Sequence, residues 1–269
     1  MNSISPLAEQ FFLNGKVDDC PVYDLHGHMG PVYGLHLPCA DTDKMINGMD
    51  RAGVKMLVFC HHASLLSSDI GNAPAIEAVR HYPDKLRAYC GINPNYPEIT
   101  KRDIHSYDDH TDVYVGFKML ADYHHYPITG ERYRAAWEMA DRRGLMVLLH
   151  TWGGSQFSGY ELLREVAGRY PGARIIVGHS IHGDWDKAVQ LVKDFPNTYL
   201  ELCAVMDERG ILEGFVSEVG SERIVFGTDY PWFDFHYYVG AILGSDITDD
   251  DRRNILYRNA QNLLSGFGI

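Results

Sequence analysis

The chain has 269 residues, 45% of them hydrophobic and 22% charged, which allows one large buried core and excludes a disordered chain. A formal net charge of −12 without a basic stripe argues against a nucleic-acid partner, because phosphate backbones are bound by Lys and Arg. Five cysteines, an odd number with no C-x-x-C, argue against a disulfide framework and for a reducing compartment, so a cytoplasmic location is expected.

The first twenty residues lack a basic stretch followed by an apolar one and do not read as a leader. No apolar run approaches the roughly 20 residues of a membrane span. Short apolar runs then alternate with amphipathic ones. In chain order the expected strands are Cys20–His28, Val54–His62, Leu86–Pro94, Val113–Leu120, Leu145–Trp152, Arg174–His179, Asn197–Ala204 and Arg223–Tyr230. Between them fall expected helices at Thr42–Arg51, Ala73–Tyr82, Glu131–Arg143, Tyr160–Arg169, Asp184–Phe195 and Glu208–Val219. A polar, weakly periodic segment, Lys101–His110, fills the gap between the third and fourth strands. Gly53, Gly144, Pro196 and Gly220 stand where helices stop. A last helix, Asp249–Leu264, is expected behind Thr248 as N-cap, with Asp250 and Asp251 in its first turn.

Strand–helix alternation implies a parallel sheet with right-handed crossovers, and eight units match closure into a (β/α)₈ barrel over residues 1–269, with no linker and no second domain. A doubly wound sheet would carry a glycine fingerprint after its first strand. Here that strand ends in His-Gly-His.

Barrel enzymes build their sites at the C-terminal ends of the strands. The polar residues there are His26 and His28, His61 and His62, Asn93, Lys118, His150, His179, Glu201 and Asp229. His26 and His28 are two apart on one strand, so both side chains face the same way. Imidazole and carboxylate are ligands of divalent metals such as zinc. A lone H-x-H among fourteen histidines carries little, and a lone His after an apolar run is usually a core histidine. The pattern gains its weight from repetition: four histidines and one aspartate close strands one, five, six and eight.

The segments Asp24-Leu25-His26-Gly27-His28, Leu148-Leu149-His150, Val177-Gly178-His179 and Phe226-Gly227-Thr228-Asp229-Tyr230-Pro231-Trp232, with Arg258-Asn259-Ala260 in the closing helix, make the chain similar to the amidohydrolase superfamily. The resemblance is to the branch of TIM-barrel metal-dependent hydrolases that also holds aminocarboxymuconate-semialdehyde decarboxylase and γ-resorcylate decarboxylase. It implies His26, His28, His150 and Asp229 as metal ligands, with one or two divalent ions, zinc by expectation. It implies Asp229 as the acceptor of a proton from metal-activated water, and His179 as a second-metal ligand or an acid/base. Lys118 could carry a bridging carboxylate, clamp an anionic substrate or join a structural ion pair. His61, His62, Asn93, Trp152 and Trp232 are candidates to line a substrate pocket.

The expected activity is hydrolysis of a small amide, ester or lactone. The alternative is metal-dependent non-oxidative decarboxylation or hydration of a carboxylated ring or dienoic acid. A TatD-like nuclease fits poorly, since it expects a glutamate where this chain has Lys118. A metal-binding barrel without catalysis would not need both His179 and Asp229. Small molecules are the expected partners, with a homodimer as the default assembly.

Overall fold

The computed structural model describes residues 5–67 and 69–268. Eight parallel strands follow one another in sequence order: β1 Val22–Met29, β2 Val54–His61, β3 Leu86–Ile92, β4 Tyr114–Met119, β5 Met146–Trp152, β6 Arg174–His182, β7 Thr198–Glu201 and β8 Ile224–Val225. The sheet closes where the chain beyond β8 meets β1. Leu25 N donates to Phe226 O at 3.0 Å, Asp229 N to His26 O at 2.7 Å, and His28 N to Tyr230 O at 2.6 Å. The fold is the (β/α)₈ barrel that the strand pattern predicts.

Two apolar layers follow from the alternation of side chains along each strand. Leu25, Met56, Val58, Cys60, Leu148, Ile176 and Val225 pack inside the barrel. Leu57, Phe59, Phe117, Met119, Val147, Leu149 and Val177 face the helices. Lys118 lies between the outward-facing Phe117 and Met119 and points inward, as its place on the strand predicts.

Most helices lie where the periodicity puts them, Thr42–Ala52 and Tyr160–Arg169 among them. The differences have local causes. The expected Lys101–His110 helix instead begins at Pro97, a residue preset for a helix's first turn, and runs to His105 before a short 3₁₀ turn at Tyr107–His110. The expected Glu208–Val219 helix starts only at Ile211, because Gly210 sits at φ 90°. Besides the short helices His62–Leu66 and Ala121–His124, two longer ones escape the pattern, Pro6–Asn14 and Phe235–Gly244. The latter buries Phe235, Tyr238, Val239, Ile242 and Leu243 and is too apolar to show a clear stripe.

The closing helix runs through a π turn at Asn254–Arg258, and its Thr248 cap forms a full capping box with Asp251. It covers the bottom of the barrel. Asn259 donates to Ser221 O and Ile224 O at the start of β8, while Leu263 and Leu264 close the inner layer. No helix among the described residues is long and apolar enough to cross a membrane.

Candidate metal centre

The five residues carried forward from the strand ends converge on one point of the barrel mouth. Asp229 Oδ1 lies 3.0 Å from His28 Nε2 and 3.3 Å from His26 Nε2. It is buried, and neither contact is directed as a hydrogen bond should be. Asp229 reaches this position through a left-handed backbone, φ 58°, which aspartate tolerates better than most residues. His150 Nδ1 lies 3.0 Å from His179 Nε2, and the His179 ring lies 5.1 Å from that of His26. Among the described residues, the tightest grouping of donor atoms is His26, His179 and Asp229, all within 4.8 Å of one another. His28 and His150 each adjoin one member of that group.

Hydrogen-bond partners settle which nitrogens are free. Glu201, wholly buried at the end of β7, accepts from His26 Nδ1 at 2.9 Å, so neutral His26 keeps a lone pair on Nε2. His179 Nδ1 faces the Cys203 carbonyl at 3.4 Å, and a carbonyl only accepts. His179 therefore offers Nε2 as acceptor, His150 donates to it from Nδ1, and His150 Nε2 keeps its lone pair. Burial, reinforced by the Lys118 ammonium, pushes His26 well below the usual imidazole range and His150 down to about 4. Burial and then His150 lower His179. Burial alone would raise the Asp229 carboxyl, but the imidazoles around it hold it well below the ordinary value. Imidazole nitrogens around an anionic oxygen form a donor set suited to a divalent cation, and the Asp229 Oδ1, buried without a hydrogen-bond partner among the described residues, marks the spot.

Glu201 stands among the strand-end polar residues of the sequence, but its role emerges only here. It orients His26, accepts from His179 N at 2.9 Å and from Cys203 N at 2.6 Å, and burial raises its pKa. A methyl group on Gly227 would collide with Glu201 and His26, so this strand crossing needs glycine. Asp24 is a second buried carboxylate. It accepts from Thr228 Oγ1 at 2.5 Å and from His26 N at 2.8 Å, joining β1 to the chain after β8. A carboxylate buried within a barrel strand is the sequence signal that both share.

Lys118 is wholly buried, with Nζ 2.9 Å from His26 Nε2, and burial lowers its pKa. It forms no ion pair with a carboxylate among the described residues. Several expected pocket residues are otherwise engaged. Asn93 donates to Leu65 O at 2.7 Å and accepts from Asn95 N at 3.0 Å, so its amide helps to order the chain after β3. His61 accepts from Ala63 N at 3.1 Å and caps the helix that follows β2. His62 has both nitrogens engaged, donating to Gly30 O at 2.7 Å and accepting from Trp232 Nε1 at 3.0 Å. Burial lowers it to about 3. Trp152 and Trp232 stand at the mouth, 40% and 39% exposed.

Comparison with solved structures returns the same barrel. A dihydroxybenzoic acid decarboxylase from Polaromonas sp. JS666, with bound manganese and the inhibitor 2-nitroresorcinol, superposes with a TM-score of 0.73 at 17% identity, over 91% of this chain and 97% of that one. A 5-carboxyvanillate decarboxylase from Novosphingobium aromaticivorans, complexed with manganese and 4-hydroxy-3-methoxy-5-nitrobenzoic acid, superposes with a TM-score of 0.67 at 15% identity, over 87% and 81%. In sequence, a γ-resorcylate decarboxylase from Polaromonas sp. is 26% identical over 138 residues, a stretch that spans 42% of this chain and 42% of that relative. The signature of the family described as Amidohydrolase matches residues 66–265, which takes in Lys118, His150, His179 and Asp229. With that match across most of its length, the chain is an enzyme of the amidohydrolase family.

Proposed function

We propose that this protein is a metal-dependent decarboxylase of a small cyclic or unsaturated carboxylic acid. The observation that carries the reading is the ring of buried imidazoles around the Asp229 carboxylate. The decarboxylases among its relatives favour this reaction over the hydrolysis expected from the ligand pattern alone.

In this reading His26, His28, His150 and Asp229 hold one divalent cation. Manganese, present in two relatives, is as good a candidate as the expected zinc. The cation supplies a Lewis acid that fixes and polarises the oxygens of the substrate. Decarboxylation breaks the bond between a ring or alkene carbon and the carboxylate carbon. The electron pair stays on the carbon left behind, which takes a proton as carbon dioxide departs. That proton comes from solvent, and His179 and Asp229 are the groups placed to relay it to the carbon. Glu201 keeps His26 in the tautomer whose lone pair lies on Nε2, where Lys118 Nζ donates to it at 2.9 Å and adds positive charge beneath the site.

A second arrangement, in which His179 is itself a ligand, is favoured by the grouping of its donor atom with those of His26 and Asp229. Metal analysis of His179→Asn separates the two. As a proton carrier, the variant keeps its metal and turns over roughly 10²-fold more slowly; as a ligand, it loses metal. The reaction is tested by loading purified protein with manganese or zinc. Release of carbon dioxide from 2,6-dihydroxybenzoate and 5-carboxyvanillate is then followed beside hydrolysis of a lactone and amide panel. Hydrolysis without carbon dioxide release would return the reading to metal-activated water, with Asp229 as base.

A further inference from the structure

His28 lacks the support that its neighbours have. A metal-binding imidazole ordinarily donates its second nitrogen to a carboxylate or carbonyl. His26 has Glu201 and His150 has His179, but His28 Nδ1 is buried without a hydrogen-bond partner among the described residues. A second imidazole stands in for the missing bond. The His62 ring lies flat against His28, with centroids 4.8 Å apart and planes 3° from parallel.

His62 is itself pinned. The Gly30 carbonyl can only accept and the Trp232 indole can only donate, so the two bonds fix both the tautomer and the plane of the His62 ring. Gly30 lies just past His28 on the chain leaving β1, and Trp232 just past Asp229 on the chain leaving β8. The ring is therefore anchored to the chain leaving β1 and the chain leaving β8, beside the two donors His28 and Asp229.

We propose that His62 is a positioning residue that sets the orientation of His28 by stacking, with Trp232 and Gly30 as its anchors. The proposal rests on the reading of His28 as a metal ligand. It replaces the substrate contact expected of His62 in the sequence, because neither ring nitrogen is free.

The test uses full-length protein and two readouts, manganese affinity and the visible absorption bands of the cobalt-substituted enzyme. His62→Ala should weaken manganese binding about 10–100-fold and shift the cobalt bands. Trp232→Phe keeps the stacked ring but removes its anchor, and should move both readouts in the same direction by less. Combining His28→Gln with His62→Ala should cost no more affinity than His28→Gln alone, since nothing is left to orient. Losses that simply add in the double variant would make His62 a general structural residue and overturn the proposal. So would wild-type affinity and unshifted bands in both His62→Ala and Trp232→Phe. If His62→Ala does not fold, Trp232→Phe carries the test on the same readouts. Manganese binding undiminished in His28→Gln would instead overturn the ligand assignment, and the proposal with it.

Discussion

The two sides of the barrel mouth are built on different plans. Toward β1, β2 and β8, most polar side chains are tied to other parts of the protein, His28 Nδ1 and Asp229 Oδ1 excepted. His62 is tied to Gly30 and Trp232, Asp24 to Thr228, and His26 to Glu201. Toward β5 and β6, the backing is aromatic and partly open. The His150 ring lies 5.9 Å from Trp152 and within 10° of parallel to it, His182 packs 4.1 Å from the same indole, and the exposed Tyr123 meets His150 edge-on. A wall of locked polar groups fixes geometry, whereas an exposed aromatic surface offers a face to something flat. The contrast separates holding from receiving within one site.

The comparison is broken most severely at Asp229, where the held side meets the point on which the donors converge. Asn keeps the shape and suits the positive φ, yet cannot take a proton. Asp229→Asn should therefore retain the fold, by circular dichroism, while turnover falls on the order of 10³-fold. Near-normal turnover would move proton handling to His179.

A smaller effect comes from the strut between the two sides. His124, at the end of the short helix Ala121–His124 after β4, donates through Nε2 to Leu65 O at 2.9 Å in the helix that follows β2, and accepts at Nδ1 from the Tyr133 hydroxyl at 3.0 Å. Burial lowers it to about 4, against an ordinary value of 6.5. Between those two values the unfolded chain binds a proton that the folded one refuses, so stability is full above pH 6.5 and declines as pH falls toward 4. Urea unfolding should show this share of the decline, on the order of 3 kcal/mol, missing from His124→Gln. Identical pH dependence in the two proteins would show that the strut does not titrate this way.

The smallest effect sharpens the comparison on the receiving side. Trp152→Ala should raise KM about tenfold for a flat acid substrate and leave metal content unchanged, as expected for the loss of one stacking face. Loss of metal with KM unmoved would place holding on that side as well.

Much of this architecture is legible in the sequence, because strand alternation, helix stops and residues at strand ends are local properties. Lys118 pointing inward and the shared reach of His26 and His28 toward Asp229 both follow from a period of two. What escapes is what depends on distant partners. Glu201 meets His26 only because the barrel closes, since the two stand 175 positions apart. Asn93 and His62 look free in the sequence because the backbone groups that engage them, Leu65 O and Gly30 O, carry no signature of their own. The eighth strand is shorter than its apolar run predicts, since the left-handed Asp229 turns the chain into the mouth.

The contact between Asp24 and Thr228 joins residues 204 positions apart. Until β8 has been made and has folded, one edge of β1 has no partner, and its unpaired backbone groups stay open to other chains. Such long-range pairing is slow, because the closure entropy must be met before the contacts form. The same late step brings Asp229 to His26 and His28. Folding intermediates of this barrel should therefore be both prone to associate and devoid of the donor cluster, and the first species able to capture a cation should be the closed one.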